Sequence, residues 1–194
     1  MGLISDAFRM GYILAWRSDK SFLCEAVVKS QRLAGFSEEA SQVTHIEVSG
    51  GGVHAINISP PISKLVDITK AHAGRYVYVL RYRNSDYEIK GRYKIAYYSA
   101  TLCNRFYDIP GILGFLFKWI KQGNRLWFCS EGALWSLQKE YPGILDAMRP
   151  DKCMPAHFIS SEEFEVVWAG LIPDNIMTRV IRKLLTPILY RKEA

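Results

Sequence analysis

Three consecutive glycines, Gly50-Gly51-Gly52, constrain the fold of this 194-residue chain more than any other feature. They separate two runs of β-type residues, 44–49 and 53–58. Because glycine tolerates the positive φ values of tight hairpin turns, this pattern predicts two antiparallel strands joined by a short turn. Each strand carries a histidine, His45 on the first and His54 on the second.

The rest of the chain alternates between strand-like and helix-like patterns. Helical spacing over residues 21–33, with Phe22, Val27, Val28 and Leu33 as its inner face, ends at Gly35. Together the patterns predict one α+β domain over residues 1–194, with a small antiparallel sheet packed against helices. Further strands are predicted at 10–16, 75–82 and 166–168, and further helical segments at 87–104, 111–121, 130–141 and 175–190.

Composition and charge narrow the class of protein. A hydrophobic fraction of 49% with 23% charged residues is ordinary for a globular domain. The net charge of +6 comes without a zinc-finger spacing or an RNA-binding aromatic motif, so no nucleic-acid partner is predicted. There is no run of about 18 apolar residues and no secretory signal, which favours a reduced, cytoplasmic protein.

The cysteines suggest chemistry rather than cross-linking. Cys24, Cys103, Cys129 and Cys153 are widely spaced, without the pairing typical of zinc sites or disulfide scaffolds, and neither a metal nor a cofactor is predicted. Cys129 follows an apolar run and opens a helical pattern. Free backbone N–H groups and the positive end of the helix dipole favour a thiolate there, and the same groups can hold an oxyanion. The alternative is a buried structural cysteine, the commoner role for this residue type.

A cysteine nucleophile needs a base, and the hairpin supplies two histidines. His45 can take the thiol proton, and His54 can orient the His45 ring if both lie on one face of the hairpin. His72 and His157 lie in loop-like stretches and are not predicted to be catalytic.

The order of these motifs resembles the circularly permuted branch of the NlpC-type papain-like superfamily, which includes bacterial permuted amidases and lecithin:retinol acyltransferase relatives. In that branch the histidine strand comes first and the Cys helix comes late in the chain. The match covers about residues 10 to 169. The matching stretches are 44–48 (THIEV), 53–55 (VHA), 106–108 (FYD), 128–131 (FCSE) and 155–161 followed by 164–167.

The resemblance implies a permuted papain-like fold with a Cys129–His45 dyad and His54 as the orienting third member. Asn57 is the fallback for the third position. Tyr107 and Asp108 are expected mainly to support the wall of the site. One departure is Gly11-Tyr12, where the family often has Gly-Asp near its first strand.

The implied function is a thiol hydrolase, an amidase or peptidase, that attacks an amide or ester in a cell-wall peptide or an acylated compound. Two alternatives stay open: a lipid acyltransferase of the lecithin:retinol type, and a non-catalytic structural or binding protein, such as a virion component, that keeps the fold.

The C-terminal segment 175–194 is basic and amphipathic. Such a segment can contact an anionic membrane, or it can pack on the domain or on a second subunit, so an oligomer stays open. Pro187 limits the length of any helix there.

Overall fold

A computed structural model of the chain describes residues 7–110 and 126–174. Within these ranges the strands are β1 (Ile13–Arg17), β2 (Val43–Gly51), β3 (His54–Asn57), β4 (Lys64–Asp67), β5 (Tyr76–Tyr82) and β6 (Phe164–Leu171). The helices are α1 (Phe22–Leu33), α2 (Glu38–Ser41), α3 (Ile68–Ala71), α4 (Arg92–Ala100), α5 (Cys129–Gln138) and α6 (Pro155–Ser160). A π-helical turn at Tyr87–Gly91 and a 3-10 turn at Pro150–Lys152 complete them.

The described strands form a six-stranded sheet in the order β4-β3-β2-β1-β5-β6, with every neighbouring pair antiparallel. Strand β2 lies inside the sheet, and α1, α4, α5 and α6 all contact it. The predicted α+β class and antiparallel sheet are therefore confirmed. A side chain on β2 is thus surrounded by neighbours from several elements.

The predicted hairpin is present as β2 and β3, and glycine is needed at its turn. Gly51 and Gly52 have φ values of 96° and 61°, which side chains rarely adopt. Gly35, with φ 91°, ends α1 in the same way, and its N–H donates to the Arg32 carbonyl at 3.0 Å. Strand β4 was not predicted, because four residues with exposed first positions carry little hydrophobic pattern.

The predicted inner face of α1 is wrong at both ends. Phe22 and Leu33 are 83% and 76% exposed, whereas Val28 is buried. The helix instead buries the polar side chain of Gln31. Its amide nitrogen donates to two backbone carbonyls between α2 and β2, both at 2.9 Å, and its oxygen accepts from the Ala156 N–H at 2.7 Å. These hydrogen bonds connect α1, β2 and α6, so the burial of Gln31 costs little.

Two predicted segments, 111–121 and 175–194, lie outside the described residues. In the part of the chain that the structure describes, no helix has the length and apolarity needed to cross a membrane.

We predict that Gly11→Ala strongly destabilises the fold. Gly11 has φ 85°, and a Cβ there would lie 2.0 Å from the backbone oxygen of Arg92. Backbone strain and a clash with main-chain atoms together should cost roughly 4 kcal/mol of unfolding free energy, measured by urea denaturation.

Gly35→Ala is the matched control for this substitution. Gly35 also has a positive φ, but a Cβ there would meet nothing within 4 Å. Its cost should be only the backbone strain, about 1 kcal/mol. Equal losses for the two variants would contradict the close approach of the chain at Gly11.

Candidate active site

Strand pairing places four polar side chains on one face of the sheet. Trp16 on β1 lies opposite His45 on β2, and Asn57 on β3 lies opposite Glu47 on β2. Opposed residues share a face, and so do residues two positions apart on one strand. Trp16, His45, Glu47 and Asn57 therefore point the same way.

Cys129 reaches these residues from the first position of α5. Its thiol lies close enough to the His45 ring and to the backbone N–H groups of Ile46 and Ser130 for all three to lower its pKa. The preceding residue, Phe128, is extended, and its N–H donates to the Glu131 carboxylate at 3.3 Å, which fixes the start of the helix. The predicted position of Cys129 in the first turn of a helix is confirmed.

The surroundings of Cys129 and His45 favour charge on both. Burial alone would raise the pKa of the Cys129 thiol, but the His45 charge, its hydrogen bond and the two N–H groups lower it overall. Burial likewise opposes the His45 imidazolium, yet Cys129 and the Glu47 carboxylate raise the His45 pKa well above its ordinary value. The surroundings of the pair thus favour the thiolate of Cys129 and the imidazolium of His45.

Two oxygens hold the far side of the His45 ring. Nε2 of His45 lies 3.2 Å from Oδ1 of Asn57 and 3.4 Å from Oε1 of Glu47. With Nε2 directed at these acceptors, Nδ1 is the ring nitrogen left for Cys129. This is the geometry of a general base with an oriented imidazole.

Glu47 is a buried carboxylate, only 1% exposed. The Trp16 indole N–H donates to its Oε2 at 2.9 Å, and Nε2 of His72 lies 2.8 Å from its Oε1. Burial would raise the pKa of Glu47, but the hydrogen bonds from His45 and His72 outweigh it and lower that pKa to about 2. His72 is itself 4% exposed and stacks on the Trp16 ring at 4.1 Å.

The structure brings Cys129 and His45 together but does not bring His54 to them. His54 is exposed and pairs with Gly51, six positions beyond His45 on β2. At about 3.3 Å per residue, that is about 20 Å away. Three positions separate His54 from Asn57, so the two also point to opposite faces, and Asn57 takes the place beside His45.

The other predicted residues have distinct positions. Tyr107 lies next to Cys129, a more direct position than the supporting role expected for it, and burial followed by the charge of Cys129 raises the Tyr107 pKa well above its ordinary value. Asp108 is fully buried, and its N–H donates to the Trp127 carbonyl at 2.9 Å. His157 accepts from the Met154 N–H at 2.9 Å at the start of α6.

A cavity of about 400 Å³ opens beside the pair and is lined by His45, Asn57 and Tyr107, with Cys24, Asp19 and Arg75 among its other walls. Cys129 lines a smaller cavity of about 20 Å³, and Thr44 borders both. Cys129 is only 3% exposed. The Cys129 thiol is therefore buried, and the His45 ring lies next to it.

Comparison of the chain with protein-family models, curated proteins and solved structures finds no match. Within residues 7–110 and 126–174, no group of three or more His, Cys, Asp or Glu side chains is arranged to hold a metal ion.

Four residues of the site, Trp16, Glu47, His72 and Arg75, were not identified as site residues from the sequence. Glu47 was detectable, because it lies two positions from His45 on a predicted strand and must share its face. His72 and Arg75 gave no signal, because they meet the site only after β1, β2 and β5 have paired.

We predict that Glu47→Gln destabilises the fold by about 3 kcal/mol at neutral pH, since it leaves buried donors without a carboxylate. The Glu47 pKa is lower in the folded state, about 2, than its ordinary value of 4.5. Its contribution is therefore complete above pH 4.5 and is lost as the pH falls towards 2. Denaturant unfolding at several pH values should show the difference from wild type shrinking below 4.5.

Glu140→Gln serves as the control for this prediction. Glu140 forms a surface ion pair with Lys94 at 2.7 Å, and solvent screens such a pair, so its loss should change the stability little. If both variants lose the same small amount, Glu47 does not stabilise the site as an ionised group.

Proposed function

We propose that this protein is a thiol hydrolase of the permuted papain-like type, with Cys129 as nucleophile and His45 as general acid and base. The observation that supports this best is the pairing of Cys129, at the start of α5, with a His45 ring that Asn57 holds in place. The α+β architecture, with the Cys helix after the histidine strand, is compatible with the permuted order.

The proposed reaction begins when the Cys129 thiolate attacks the carbonyl carbon of an amide or ester. A C–S bond forms and the carbonyl electron pair moves to oxygen. N–H groups in the first turn of α5 and the Tyr107 hydroxyl stabilise that oxyanion. The C–N or C–O bond then breaks, and the leaving amine or alcohol takes the proton from His45.

The second half of the reaction restores the enzyme. His45 removes a proton from water, which attacks the Cys129 thioester and releases a carboxylic acid. If an alcohol or amine replaces water, the same residues transfer the acyl group, as the lecithin:retinol alternative requires. Hydrolysis and transfer therefore share one site.

In this proposal Asn57 is the third member of the site, together with Glu47, and His54 has no part in it. The substrates are cell-wall peptides or acylated compounds, as the resemblance implies. Asp19 and Arg75 in the cavity wall suit a polar substrate next to the scissile bond. The cysteines Cys24, Cys103, Cys129 and Cys153 are all free thiols, which is compatible with a reduced, cytoplasmic setting.

One observation favours the second candidate, a non-catalytic binding or structural protein. Cys129 is 3% exposed and borders a cavity of only about 20 Å³, so a substrate carbonyl reaches the thiol only if the side chains around it move. Accessibility of the thiol therefore separates the two candidates.

We predict that Cys129 reacts with iodoacetamide at neutral pH faster than an ordinary thiol, because its pKa is lowered. The rate should fall at acid pH, where the thiolate gains a proton. His45→Ala removes the imidazolium, so burial raises the Cys129 pKa and the neutral rate should drop by at least tenfold. Mass spectrometry of the Cys129 peptide measures this rate apart from the other three thiols.

His54→Ala is the matched control, because His54 is an exposed histidine on the same hairpin. It should leave the Cys129 rate unchanged. A slow rate in wild type and in both variants would refute the catalytic proposal and support the non-catalytic alternative.

A further inference from the structure

We infer that Arg75 and His72 are positioning residues that fix the direction of a hydrogen-bond chain running through Glu47 to His45. The chain keeps a proton on Nε2 of His45 and leaves Nδ1 to exchange protons with Cys129. The inference rests on the proposed function, and it identifies the residues that set the His45 tautomer the reaction needs.

The hydrogen-bond chain begins at the guanidinium of Arg75, which is held in place by its neighbours. One guanidinium nitrogen of Arg75 donates to the Arg17 carbonyl at 2.8 Å, and the guanidinium carbon lies 5.8 Å from the centre of the Trp16 ring. The Arg75 side chain is 17% exposed, and the Asp19 carboxylate is 4.0 Å away. Arg75 is therefore held in place and keeps its charge.

The next step fixes the proton on His72. Nη1 of Arg75 lies 3.3 Å from Nδ1 of His72. A guanidinium can only donate, so Nδ1 of His72 must accept and carries no proton. The ring proton is then on Nε2, which donates to Oε1 of Glu47 at 2.8 Å.

Glu47 is the acceptor that links His72 to His45, so it fixes which ring nitrogen of each histidine carries a proton. It accepts from His72 at one oxygen and from Trp16 at the other, so it is held as an ionised acceptor. Nε2 of His45 therefore faces two acceptors, the Glu47 carboxylate and the Asn57 amide oxygen. Only a protonated Nε2 satisfies both, whether the His45 ring is neutral or charged.

Without Arg75, His72 loses the donor that holds its tautomer. Nδ1 of His72 can then bind a second proton while the Glu47 carboxylate keeps the first on Nε2, so that Glu47 faces two charged rings. Glu47 then favours the His45 imidazolium less. Cys129 and Glu47 are the ionisable groups that act on His45 directly. Tyr107 lies next to Cys129, His72 lies against Glu47, and Arg75 and Asp19 stand at the far end of the hydrogen-bond chain.

The first test is nitrogen NMR of the full chain with isotope-labelled histidine. We expect His72 to be the Nε2–H tautomer at neutral pH in wild type and in Arg75→Lys, which keeps a charged donor. Arg75→Met should lose that tautomer. A wild-type His72 protonated on Nδ1 would overturn the inference without any variant.

The second test is the iodoacetamide rate of Cys129 against pH. In Arg75→Met the pH at which the alkylation rate of Cys129 begins to fall should move to a higher value. The rate at neutral pH should fall by about tenfold, since one pKa unit changes the thiolate fraction by up to that factor. Arg75→Lys should restore most of the rate. Arg17→Met, which removes a neighbouring exposed cation but keeps the backbone carbonyl, should match wild type.

The outcomes separate this inference from the proposed function. If Cys129 is unreactive in wild type, the proposed function fails, and the catalytic role of the hydrogen-bond chain fails with it. If Cys129 is reactive but Arg75→Met changes neither the His72 tautomer nor the pH profile, only the positioning inference is overturned.

Discussion

The buried charge of Glu47 is the interaction on which the rest of the site depends. A carboxylate at 1% exposure is costly unless donors and an opposite charge surround it. Trp16 and His72 supply the donors, and Glu47 favours a positive charge on His45. A charged His45 in turn favours the Cys129 thiolate, so each group favours the charged form of the next.

Two structural constraints assemble this series. The alternation of β2 puts His45 and Glu47 on one face, and the start of α5 brings Cys129 to the edge of that strand. The backbone N–H of Ile46 helps to lower the Cys129 pKa, so the strand acts on the thiol as well as orienting its base. The bridge between Tyr107 and Trp127 holds the segment before the helix, which fixes where the helix begins.

What the sequence predicted correctly was local. The glycine turn, the α+β class and the helix start at Cys129 each follow from residues close together in the chain. The choice of His54 over Asn57 ignored strand parity, because positions three apart face opposite sides. The burial of Gln31 in place of Phe22 depends on carbonyl groups of α2 and β2, and such partners are fixed only by the tertiary fold.

Cys129 and Cys153 show why burial by itself does not make Cys129 a structural residue. Both are nearly inaccessible, at 3% and 0% exposure. The pKa of Cys153 is raised well above its ordinary value by burial, whereas that of Cys129 is lowered by His45. A buried ion pair is often less stabilising than apolar packing of the same volume, so stability alone does not favour one here. Groups whose pKa values are displaced by specific partners beside a cavity are concentrated at functional sites. The contrast between the two thiols therefore favours a chemical role for Cys129.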